Sequence, residues 1–208
     1  MSAECVVIGQ SPLVPIVTSP WFHVSGPHVS GRKSQVKRWW SAPEADATWR
    51  DYCVQFLGKC YPRINDAKSR EAMADAMWEA LRTTRRAGRA AGSAARQLMT
   101  LGRTFPEFPP EEVSAASLEA LLDPASSDET RTVLLQVCGT LGEHGALPTA
   151  RAIAGQNSTP VLRASAIAAV GMLGDDTDLP LLKRLAASGD VRVSVPARAA
   201  LGRLQKRH

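Results

Sequence analysis

The side chains best suited to chemistry are arginines and tryptophans, in two groups. The first runs Arg32, Lys33, Lys37 and Arg38 into Trp39 and Trp40; the second sets Trp78 among Arg82, Arg85, Arg86 and Arg89. Cations neutralise phosphates and indoles offer flat faces for stacked bases, so both groups are candidate nucleic-acid contacts. The same residue types suit an acidic protein surface, because Arg and Trp are enriched at protein interfaces. Each group also has a plain reading. The first is then a basic loop whose tryptophans pack on the first helices, and the second a solvated helix face with Trp78 covering a neighbour.

Other chemistry is poorly supplied. His23 and His28 lack a carboxylate or thiol at ligand spacing, so no metal site is expected. Cys5, Cys53, Cys60 and Cys138 form no C-x-x-C pair and read as reduced thiols. The chain has no G-x-S-x-G, H-E-x-x-H or Gly-rich phosphate loop. It reads as a non-enzymatic protein with no catalytic residue and no cofactor.

The elements that must carry the two groups are helical. Of the 208 residues 44% are hydrophobic but only 5% aromatic, a balance that suits helices packed through small side chains. A net charge of +5 and a pI near 9.3 admit an acidic partner without requiring one. No apolar run is long enough to span a bilayer, so no membrane partner is expected and the chain reads as cytoplasmic.

Four segments follow. Residues 1–47 open, over 5–24, on short apolar runs that alternate with Pro12, Pro15 and Pro20, which forbids a helix there. They read as an irregular arm, disordered until a partner binds or loosely structured. Residues 48–103 read as helical. A first helix sets Tyr52, Cys53, Phe56 and Leu57 on one face. A second, capped at Asn65-Asp66, runs to about Arg86 with Met73, Ala76, Met77, Ala80, Leu81 and Thr84 inward and the arginines outward. Gly88 and Gly92 loosen it, leaving a separate helix from Ser93 to Leu101. The Pro-rich stretch 104–112 reads as an exposed, extended linker, and 113–208 as repeats, the first opening at Ser114 or Ser117.

The repeats are explicit. A shift of 32 residues places Arg131 on Arg163, Gly139 on Gly171, Leu141-Gly142 on Leu173-Gly174, and Leu147-Pro148 on Leu179-Pro180. A third copy sets Ala199 to Leu204 under Ala168 to Leu173. Helices are expected over 129–141, 147–154, 160–173, 179–187 and 193–205, with Asp128, Thr159 and Asp178 as N-caps and Gly142 and Gly174 as left-handed caps. Cys138 shares a register with Val170 and Leu201, which makes it a core residue. Gly139, Gly171 and Gly202 fall inside helices, where a recurrent glycine marks a closely passing neighbour.

Leu162-Arg163, the run Ala168-Ala169-Val170-Gly171-Met172-Leu173-Gly174-Asp175, and Leu179-Pro180-Leu181-Leu182 resemble the short HEAT-like repeats of the armadillo-type superfamily. This likeness covers about residues 115–208 and is similar to the repeats also found in phycobilin lyases. It implies an all-α fold, an αα-superhelix used as a binding scaffold. The lyase and metal-dependent hydroxylase members need motifs absent here, including paired His-Glu dipeptides. A glycosylase variant would need an acid beside aromatics, for which only Trp49 with Asp51 offers itself. The expected function is a scaffold or adaptor binding a protein partner or larger assembly; the alternative is nucleic-acid binding through Arg82–Arg89 and Arg32–Trp40. Val195, Leu201 and Leu204 form a candidate end face for self-association.

Overall fold

In the computed structural model residues 46–206 are described, apart from the side chain of Arg86. Their α-helices run in order α1 (Ala47–Cys60), α2 (Ala67–Arg82), α3 (Thr84–Ala87), α4 (Ala90–Leu101), α5 (Pro110–Leu122), α6 (Asp128–Leu141), α7 (Leu147–Gly155), α8 (Pro160–Leu173), α9 (Leu179–Ala186) and α10 (Val191–Gln205). No strand occurs among the described residues.

The helices form two rows. In one, α1, α4, α6, α8 and α10 lie side by side, each packed on the next; behind them α2, α5, α7 and α9 each pack on the front helix that follows. A helix with one apolar stripe must bury it, and stacking helix pairs buries every stripe against a neighbour. The fold is an all-α superhelix of short repeats. The rows begin before the explicit 32-residue repeat, because α1, α2 and α4 occupy the same two rows.

Local chemistry sets the helix starts. Asp66 caps α2, its Oδ2 accepting from the Ser69 amide at 2.8 Å. At α6 the cap is Ser127 rather than Asp128: Ser127 Oγ accepts from the Thr130 amide, and Asp128 becomes the first helical residue. Pro148, Pro160 and Pro180 stand in first turns, where a missing N–H costs nothing. Gly142 ends α6 at φ 76°, left-handed as expected. Gly174 is not left-handed, its φ being −75°. There Asp175 and Asp178 cap a short 3-10 turn reciprocally and redirect the chain without a positive φ.

The recurrent glycines sit where front-row helices cross. A Cβ on Gly139 would collide with Met172 of α8, and one on Gly171 would stand 2.5 Å from Ala200 Cβ and 2.6 Å from Ala200 Cα on α10. Small residues carry the same job further up the stack, where Ala90, Ala91, Ala94 and Ala95 of α4 are all fully buried. Met77 and Cys138 are fully buried too, and burial pushes the Cys138 thiol up to about 12.

Three sequence expectations need correction. On α1 the inward residues are Asp51, Val54 and Gly58, while Tyr52 and Phe56 face outward. Asp51 is drawn in because Ser93 Oγ donates to its Oδ1 at 2.5 Å and Gln55 to its Oδ2 at 3.1 Å. The Pro-rich stretch is exposed at most of its positions, as expected, but it turns instead of running extended, and it is anchored to the core. Phe108 is fully buried and packs edge-on against Tyr61 at 5.0 Å between ring centroids, with Phe105 at 5.3 Å. The helix that follows starts at Pro110, so Ser114 and Ser117 lie inside it, buried, rather than capping it.

Candidate functional site

The segment from Trp78 to Arg89 is the densest group of arginines described. It is not one continuous stripe. Helix α2 ends at Arg82, where Thr83 leaves helical geometry at φ −117°, ψ 57° and donates its hydroxyl back to Glu79 O at 2.6 Å. The break turns Thr84 inward to donate to Asp123, and Gly88 at φ 55° reorients the chain again before α4. Arg82 therefore shares a face with Trp78, while Arg85, Arg86 and Arg89 lie beyond the break.

Each described arginine of the segment has a neighbour within the fold. The Arg82 guanidinium lies over the half-buried Trp78 ring, 4.8 Å from its centroid. Arg89 Nε approaches Asp51 Oδ2 at 3.4 Å, tying α4 to α1. The Asp123 carboxyl is held below the usual range by the Thr84 hydroxyl, then by the Ala125 amide, with Arg85 and Arg131 adding positive charge. Glu129 is lowered chiefly by Ser127, with a smaller contribution from Arg89. This stretch of surface thus mixes both signs of charge.

Arg32, Lys33, Lys37, Arg38, Trp39 and Trp40 lie outside the described residues, as do His23 and His28. At the other end of the chain, Val195 is 53% exposed, Leu201 is partly buried, and Leu204 is 2% exposed. Leu204 therefore belongs to the internal core, on the helical face of α10 that also carries Ala197 and Ala200. An outward stripe of α10 instead carries the exposed Val191, Val195 and Arg198 and the half-buried Gly202, spaced four, three and four apart.

Polar ties that the sequence did not announce run between repeats. Arg151 of α7 grips Asp178 with two bonds, Nε to Oδ1 at 2.7 Å and Nη2 to Oδ2 at 2.9 Å. Arg131 and Arg163, in one register, each reach back to a C-terminal carbonyl of the preceding rear-row helix, Asp123 O at 3.3 Å and Ala154 O at 3.0 Å. Arg70 stacks over both Tyr61 and Phe105, 5.3 and 5.0 Å from the centroids. Among the described residues no three His, Cys, Asp or Glu gather where a metal could be held, and no helix is long and apolar enough to cross a membrane.

Comparison with protein families places residues 114–202 under the model for HEAT repeats. Over that segment the chain is built of HEAT repeats. Neither the search of curated proteins nor that of solved structures returned a significant match. The matched HEAT segment runs from within α5 to within α10, and it contains the Arg151–Asp178 tie and the glycine crossings. The arginines around Trp78 precede it. The two rows of helices nevertheless continue through α1, α2 and α4, outside the matched segment.

Proposed function

We propose that this chain is a non-catalytic HEAT-repeat scaffold that holds a protein partner. The observation that carries this reading is the stack itself, in which buried side chains serve to join one helix pair to the next. HEAT repeats commonly act as protein-interaction scaffolds, and that general property supports the assignment here.

Nucleic-acid binding through the Arg82–Arg89 segment is the competing reading. Against it stands the local charge balance: Arg82 covers Trp78, Arg89 pairs with Asp51, and Asp123 and Glu129 share the surface. A phosphate backbone would have to displace or tolerate these carboxylates. The test is a titration of the full chain with duplex DNA and with single-stranded RNA from about 50 to 200 mM salt. The scaffold reading expects no steeply salt-dependent binding. Tight binding whose salt slope flattens when Arg82, Arg85 and Arg89 are changed to Ala would establish the nucleic-acid reading instead.

A further inference from the structure

Front-row packing follows one rule in consecutive repeats, and the rule points at a surface. Gly139 of α6 lies against Ala169 and Met172 of α8; Gly171 of α8 lies against Ala200 of α10. Four residues before each glycine stands a fully buried apolar side chain on the same face, Leu135 and Ile167. On α10 the glycine recurs as Gly202, and among the described residues nothing lies within 4 Å of a Cβ built there. Val191 and Val195, on the same stripe, are 67% and 53% exposed.

One position departs from the rule. Where the interior helices carry Leu135 and Ile167, α10 carries Arg198, which is exposed and folds back on its own helix, Nε donating to Ser194 O at 3.3 Å and Nη2 to Ser194 Oγ at 3.2 Å. Arg192, Arg203 and Lys206 are exposed nearby, and the carboxylate beside them, Asp190, is already engaged by Arg192 at 3.2 Å. The surface keeps the close-approach glycine and two valines but surrounds them with positive charge.

We propose that the outward face of α10 docks an amphipathic α-helix of a partner protein, with a small residue crossing at Gly202 and a carboxylate meeting Arg198. Continuity with the two interior crossings supplies the geometry: a helix seated here would repeat the contact that α10 makes on α8. Charge supplies the chemistry. A second copy of α10 would bring Arg198, Arg203 and Lys206 against their own likeness, which like-charge repulsion penalises, so the complementary occupant is an acidic helix. The inference rests on the scaffold reading and assigns that reading a surface.

The test uses the full chain and two side-chain-bridged helical peptides, both with Ala at the crossing position, one flanked by Glu and its twin by Lys. The Glu peptide is expected to bind with backbone NMR shifts confined to Val191, Val195, Ala199 and Gly202 and their neighbours. Gly202→Leu is expected to weaken it about tenfold by filling the crossing, and Arg198→Glu to weaken it about tenfold while admitting the Lys peptide. Thermal midpoints no lower than that of the wild type in both variants exclude misfolding as the cause. Failure of the Glu peptide to bind, or binding indifferent to both substitutions, overturns the proposal. So does a wild-type dimer in sedimentation that either substitution dissociates, because the occupant is then a second copy. A protein partner held equally well by wild type and both variants overturns the α10 site and leaves the scaffold reading standing.

Discussion

Gly171 and Ala200 meet where α8 crosses α10, so closely that a Cβ on Gly171 would stand 2.6 Å from Ala200 Cα. The obstacle is backbone, which cannot rotate aside as a side-chain tip can. Gly171→Val should therefore lower unfolding stability by about 2–3 kcal/mol in urea titration. Gly202 lies in the same register, and among the described residues nothing stands within 4 Å of a Cβ built there, so Gly202→Ala should raise stability by about 0.5–1 kcal/mol through the chain entropy that alanine removes. Equal effects at the two sites would mean that the crossing does not constrain Gly171.

Arg151 and Asp178 join α7 to the start of α9. The Asp178 side chain is 3% exposed and its partner 38%, so removal of Arg151 leaves a nearly buried carboxylate without its cation. Arg151→Ala should cost about 2 kcal/mol, below the range for fully buried pairs because water reaches Arg151. Arg151→Ala combined with Asp178→Asn should cost less than the two single changes added together. Strict additivity in that double-mutant cycle would show that the pair contributes nothing as a pair.

The repeats were legible because each signature residue meets a local demand: proline in a first turn, glycine at a crossing, leucine on the buried stripe. Those demands recur at fixed spacing, so 128–205 could be partitioned within a residue or two. The earlier rows were hidden for two reasons. Alanines at 90, 91, 94 and 95 pack the α4 crossings without a distinctive letter, and the turns holding Phe105 and Phe108 lengthen the repeat and break its period. The arginine stripe misled because a helical wheel assumes an unbroken helix. Thr83 ends that helix through a backbone conformation that threonine does not advertise. Pairing of Arg89 with Asp51, and of Arg151 with Asp178, depends on chain paths that one-dimensional spacing does not encode.

Phe108 tests whether the Pro-rich turns are structural. It is fully buried against Tyr61, and a Cβ on Gly102 would stand 2.4 Å from the Phe108 carbonyl oxygen. Phe108→Ala should cost about 3–4 kcal/mol, in the range for emptying a buried aromatic site. The loss should appear as faster amide exchange in residues 61–70 as well as in 105–109. A change below about 0.5 kcal/mol, usual for a surface site, would return the stretch to the status of a linker.

Tyr61 and Glu107 give the fold a dependence on pH at both extremes. The Tyr61 hydroxyl donates to Glu107 Oε1 at 2.7 Å. Burial first, then the Glu107 carboxylate, favours the neutral phenol and raises its pKa strongly, even though the Arg70 charge works the other way. A group whose proton is held more tightly in the folded state contributes fully below its unfolded pKa, about 10 for tyrosine, and that contribution is lost as pH rises beyond it. Glu107 has the opposite sign. Its carboxyl is lowered chiefly by the Tyr61 hydroxyl, so its contribution is complete above about pH 4.3 and fades as pH falls through the folded value. Urea titrations at pH 8 and about pH 10.5 should show stability falling on the alkaline side. Tyr61→Phe should cost about 1 kcal/mol at neutral pH for the lost hydrogen bond, and it should flatten that alkaline slope because the titrating phenol is gone. If Tyr61→Phe leaves the slope unchanged, ionisation elsewhere drives the alkaline loss and the Tyr61–Glu107 pair is not its origin.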